Sequence, residues 1–116
     1  MVCSQTMCGD SDGPFTVYRN KSARTKALFP FLVDVQSDLL EDLQTRVVIP
    51  LSKAGALTKK PVSHLTPILK FEGEAYVLMT PELAAVARND LGPVTGSLGE
   101  RRDSILAAMD FLITGF

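Results

Sequence analysis

The sequence has 116 residues, 12 basic against 13 acidic side chains, a net charge of −1 and a pI near 5.7. That length suits one domain burying about two-thirds of its unfolded surface, and 46% apolar residues with a mean hydropathy of +0.16 exclude a disordered chain. The balance argues against a binder of phosphate backbones, no apolar run reaches the roughly 18–20 residues of a membrane helix, and no basic-then-apolar leader marks secretion, so the cytoplasm is the expected home.

Residues 1–14 read as a dispensable extension, because Gly9, Asp10, Ser11, Asp12, Gly13 and Pro14 form a run of breakers. Cys3 and Cys8 lie there as free thiols. With His64 the sole histidine, the roughly four ligands of a zinc site are lacking. The domain is expected over 15–116. Residues 15–18 are a short β-type run, followed by a polar, basic connection. Residues 28–35 are a second strand, where Pro30 suggests an edge position or a bulge, since proline donates nothing to a ladder. Residues 46–51 are a third strand, again with a proline near its end. Residues 65–71 and 75–79 flank Glu72-Gly73-Glu74, and Gly73 can take the positive φ of a tight antiparallel hairpin.

Thr80 before Pro81 looks locally like a helix N-cap with a first-turn proline. At the C-terminus, Ser97 and Glu100 fit a capping box. Leu98, Ile105, Leu106, Met109, Leu112 and Ile113 recur at helical spacing, and Gly115 suits the helix end. Four or five short strands and one helix suggest a small antiparallel barrel or curled sheet with the helix docked on it.

No nucleophile motif, paired His and Cys, metalloprotease motif or phosphate loop is present. Asp34 and Asp38 could do acid–base work or hold a hard cation, but a turn role for Asp38 is the favoured reading. His64 has no obvious partner. Arg19, Lys21, Arg24 and Lys26 form an acid-free stretch that could meet nucleic acid or an acidic peptide; a solvated loop is favoured. Lys53, Lys59 and Lys60 carry the same ambiguity, and neither group has interleaved aromatics for base stacking. The Leu39-Leu40 pair cannot both face one core from a strand, and Phe116 is an aromatic at a terminus that should fray into water.

Phe31-Leu-Val-Asp-Val-Gln-Ser-Asp-Leu-Leu40 followed by Arg46-Val-Val-Ile-Pro-Leu51 resembles CcdB, the toxin of a bacterial toxin–antitoxin pair. The start Phe15-Thr-Val-Tyr18, the Leu65-Thr-Pro67 element, the hairpin up to Met79-Thr80, and the closing stretch from Asp103 through Phe111 to Gly115 line up in the same order. The resemblance implies an α+β, mainly antiparallel fold: a small SH3-like barrel with a C-terminal helix, assembled as a homodimer and related in fold to the MazF ribonuclease toxins. It places an extended strand over 80–86, against the local helix preference.

It also implies a type II toxin that acts in plasmid maintenance. Such a toxin binds the GyrA chain of DNA gyrase, traps the cleavage complex and so inhibits the topoisomerase. It is not an enzyme, needs no cofactor or metal, and contacts neither nucleic acid nor membrane directly. Carried over position by position, the gyrase contact falls on Leu39, Leu40, Asp110, Ile113, Thr114, Gly115 and Phe116. A cognate CcdA-like antitoxin would neutralise it through a disordered segment. The best-known poisons of the family end in Trp-Gly-Ile; this chain ends in Thr114-Gly115-Phe116. The alternatives are a non-toxic binding module that keeps only the antitoxin contact, and a MazF-like endoribonuclease.

Overall fold

The computed structural model describes residues 15–36, 44–54 and 65–115. Within them lie strands β1 (Thr16–Asn20), β2 (Phe31–Asp34), β3 (Thr45–Lys53), β4 (Ile68–Phe71), β5 (Glu74–Leu78), β6 (Ala84–Ala87) and β7 (Leu91–Ser97), then helix α1 (Arg102–Thr114). Every pairing among them is antiparallel. The order is β4-β5-β3-β2-β1-β7, with β6 paired to the first half of β3. The result is the expected α+β architecture: a curled, barrel-like sheet and one C-terminal helix.

Alternation along the strands builds the core. Val17, Phe31, Val33, Ile49, Leu51, Leu69, Phe71, Tyr76 and Leu78 share one face and meet Phe15, Leu98, Ile105 and Ala108. Each fully buried large aliphatic there contributes about 1.5–3 kcal/mol. The Phe31 ring meets Phe71 and Tyr76 edge-on, at 5.4 and 5.5 Å between centroids, the arrangement that ring quadrupoles favour.

The prolines sit where no ladder bond is lost. Pro30 precedes β2 rather than lying within it, and β2 is a central strand between β1 and β3, not an edge. Pro50 is inside β3. Its carbonyl accepts from Met79 N–H at 2.9 Å, so its nitrogen faces the same edge. That edge is where β3 changes partner, from β6 at Thr45 to Val48 to β5 at Leu51 to Lys53.

The β4–β5 hairpin turns on Glu72 (φ 52°) and Gly73 (φ 82°). Two consecutive positive φ values are the I′ pattern, whose twist matches that of the strands. The extended strand expected over 80–86 is corrected to two pieces, a 3₁₀ turn at Thr80–Glu82 and then β6. Pro81 favours the turn, while the open edge of β3 draws Ala84–Ala87 into a ladder. Met79, not Thr80, holds the cap position, and no side chain caps the turn.

β7 is not among the expected strands, because Gly92, Pro93 and Gly96 mark its sequence as a loop. Gly96 has a packing reason. A Cβ there would sit 2.9 Å from the Phe71 ring, so its absence lets β7 approach β4. The capping box is also corrected. Ser97 Oγ accepts from Gly99 N–H at 3.1 Å, a 3₁₀ turn (Gly99–Arg101) intervenes, and α1 starts after Arg101 with no side-chain cap.

Candidate functional site

Asp34 is buried in an ion pair with Arg46. It is fully buried and accepts from Arg46 Nε at 2.8 Å; Arg46 is 1% exposed. Gln36 completes the clamp. Its N–H donates to Asp34 Oδ1 at 2.9 Å, its Oε1 accepts from Val47 N–H at 3.0 Å, and its carbonyl lies 3.4 Å from Arg46 Nη2. Burial pushes the Asp34 carboxyl above its ordinary 3.8, while the hydrogen bonds from Arg46 and Gln36 and the nearby positive charges of Arg46 and Arg88 pull it back. Asp38, like His64, Lys59, Lys60, Cys3 and Cys8, lies outside the described residues. Among the described residues no group of His, Cys, Asp and Glu could hold a metal, and no helix is long and apolar enough to cross a membrane.

Of the seven candidate contact residues, the structure describes Asp110, Ile113, Thr114 and Gly115; Leu39, Leu40 and Phe116 lie outside the described residues. The four come together at the end of α1. The helix buries Ile105 and Ala108 against the sheet and half-buries Met109. Leu106, Leu112 and Ile113, part of the apolar spacing that identifies the helix, are exposed, Ile113 to 76%.

Gly115 ends the helix in the left-handed conformation (φ 80°), its N–H bonded to the Phe111 carbonyl at 2.9 Å. This is the C-terminal stop that glycine makes without a Cβ clash. Thr114 Oγ1 donates back to the Asp110 carbonyl at 2.7 Å. That bond occupies the hydroxyl hydrogen on the helix itself. Asp110 is an exposed acid in the last half of a helix with no basic residue in its last turn. Leu106, Asp110 and Ile113 fall at i, i+4 and i+7, so an apolar–acidic–apolar stripe runs down the exposed side. Leu106 joins the contact candidates only through the structure. Its spacing to Ile113 carries the signal, but the same spacing also fits a buried stripe.

A second concavity, about 570 Å³, opens on the sheet face opposite α1. Leu32, Val48, Pro50, Ala84 and Val86 line it with apolar side chains, and Lys21, Glu82 and Asp90 with charged ones. Asn20 braces one wall, donating to Thr25 Oγ1 at 2.9 Å and to the Phe29 carbonyl at 2.8 Å while accepting from Ser22 N–H. Lys21 Nζ reaches the Asn89 carbonyl at 2.9 Å.

Two comparisons bear on these surfaces. The fold is similar to that of an endoribonuclease in complex with its cognate antitoxin from Mycobacterial species, at a TM-score of 0.68 and 13% identity, over 87% of this chain and 93% of that one. At that identity the likeness speaks for the fold. The family model described as CcdB protein matches residues 14–115, nearly the whole stretch that the resemblance covers. The chain belongs to the CcdB family of toxin–antitoxin toxins.

Proposed function

We propose that this toxin acts by protein–protein contact with the GyrA chain of DNA gyrase, through the end of α1, and stalls the gyrase–DNA cleavage complex without doing chemistry of its own. The observation that carries the reading is the bare helix tip. Leu112 and Ile113 stay in water at the end of a helix whose other face is packed, beside the exposed carboxylate of Asp110. Exposed apolar side chains grouped in this way mark a contact surface. The toxin works as a homodimer that presents two such tips about one symmetry axis, and a cognate antitoxin neutralises it. The fold neighbour is itself in complex with a cognate antitoxin, which supports that last point.

The test is pure protein with gyrase and plasmid DNA, scoring linear DNA after protein digestion, beside a direct GyrA binding measurement. Linear DNA and GyrA binding are expected. Their absence, even with Thr114→Trp restoring an aromatic face, overturns the gyrase reading in favour of an antitoxin-binding module. Light scattering that shows only monomer at micromolar concentration sinks the dimer. The second reading, an endoribonuclease, is favoured only by the fold neighbour's being one; RNA cleavage by the pure protein would establish it.

A further inference from the structure

We propose that a basic hollow beside the β1–β2 connection is a binding site for an oligophosphate chain, free or carried on a nucleoside. Arg19, Asn20, Lys21, Lys26 and Pro30 line it around a volume of about 390 Å³, within the roughly 300–1,000 Å³ of small-molecule sites. The hollow shares no residue with the helix tip, so the proposal does not rest on the gyrase reading.

The charge in the hollow has one sign. Three of its five lining residues are cations and none is an acid; Glu82 and Asp90 line the neighbouring concavity instead. Among the described residues, Arg19, Lys21 and Lys26 have no ion-pair partner. Like charges held close together repel, and a multivalent anion removes that cost.

The donors are set in advance. Arg19 pairs with Phe31 across the ladder, and its guanidinium lies over the Phe31 ring, 5.6 Å from the centroid. That contact uses the flat face of the guanidinium and leaves its in-plane N–H fork, which fits phosphate oxygens two at a time. Lys21 Nζ donates one N–H to the Asn89 carbonyl and keeps two. Lys26 sits on the connecting turn, closed by its N–H on the Ser22 carbonyl at 2.9 Å. Asn20 ties that turn to β1: its side chain bonds Thr25, Phe29 and Ser22, and its N–H donates to the Pro30 carbonyl at 3.0 Å. Little ordering therefore remains to be done on binding.

This density of donors selects phosphate over carboxylate. A phosphoryl group presents three strong acceptor oxygens and up to two charges, a carboxylate two oxygens and one charge. Three cations spread around one hollow suit linked phosphates better than a single one.

The test is NMR titration of the isotope-labelled full chain with tripolyphosphate at fixed ionic strength. ATP, tetraglutamate and an oligouridylate are parallel arms. Amide shifts are expected at Arg19, Lys21 and Lys26 in the unmodified protein, so locating the site needs no variant. Arg19→Gln and Lys26→Gln should each weaken tripolyphosphate binding about tenfold or more. Arg24→Gln removes the same charge from the same turn but outside the hollow, and should leave affinity within about twofold. Tighter binding of ATP than of tripolyphosphate would support the site and assign it to a nucleoside-borne chain; equal or weaker binding of ATP would support it as a site for the free chain.

No shifts at millimolar tripolyphosphate, equal binding of tetraglutamate, or an equal loss in Arg24→Gln would overturn the proposal. So would preferential binding of the oligouridylate, which would make the surface a nucleic-acid contact.

Discussion

Two regions invert the usual rule of charge outside and grease inside. At the end of β2, Asp34 and Arg46 are sealed away from water. At the end of α1, Leu112 and Ile113 are left in it. The inversions differ in how they are supported. The buried pair has its own hydrogen-bond shell, with Gln36 bonding the carboxylate, the guanidinium and the next strand at once. The exposed tip has a backbone stop at Gly115 and a hydroxyl bond from Thr114. The buried pair is bonded from within the molecule at every polar atom but Arg46 Nη1, which has no hydrogen-bond partner; the tip is the surface we propose a partner covers.

The sharpest way to break the comparison is Arg46→Met, which strands a buried carboxylate. We expect a loss of about 3–5 kcal/mol by denaturant unfolding, most of it recovered when Asp34→Leu is added. The loss should shrink on acidification. Asp34 already titrates above 3.8 in the folded protein because of burial, so between the two values the folded state holds more protons and stability falls as pH rises. Without Arg46 the folded value climbs further, and the deficit at about pH 7 should exceed that at about pH 4. A deficit that does not shrink with acid would mean that Arg46 does not set the proton affinity of Asp34.

Gly96→Val comes next. Its side chain must displace the Phe71 ring, and overpacking of this kind costs about 1–3 kcal/mol. Gly115→Ala should cost about 1–2 kcal/mol from its positive φ and should weaken GyrA binding by misdirecting the tip. The smallest stability effect belongs to Ile113→Asp, within about 0.5 kcal/mol, with GyrA binding lost. A marked fall in melting temperature there would show that the tip is structural after all.

Local chemistry makes some elements legible. Gly73 between two β-type runs announces the hairpin, and Gly115 announces the end of α1. The second half of 80–86 comes from the family resemblance, because Thr80-Pro81 argues for a turn and only the edge of β3 argues for strand. β7 is illegible for a related reason. Gly92 and Gly96 allow close packing against β1 and β4, so residues that make the strand possible also hide it. Arg46 reads as the polar start of a strand, since burial of a charge depends on a partner twelve residues away. At the site, helical spacing identifies α1 but does not say which of Leu106, Met109, Leu112 and Ile113 the sheet covers. Spacing fixes which residues share a face, and the width of the sheet decides how much of that face is covered.

The adjacency of β1 and β7 has a kinetic consequence. Thr16 pairs with Ser97 and Asn20 with Leu91, so the first described strand waits for the last before its outer edge is satisfied. Contacts this distant along the chain slow folding. On the ribosome, β1 to β5 emerge with their apolar faces made but unclosed, and α1, which seals them with Ile105 and Ala108, follows later still. The tip proposed to seize gyrase is therefore synthesised after the element that makes the fold stable. Assembly is ordered so that the harmful surface is displayed only on a molecule that is already nearly complete.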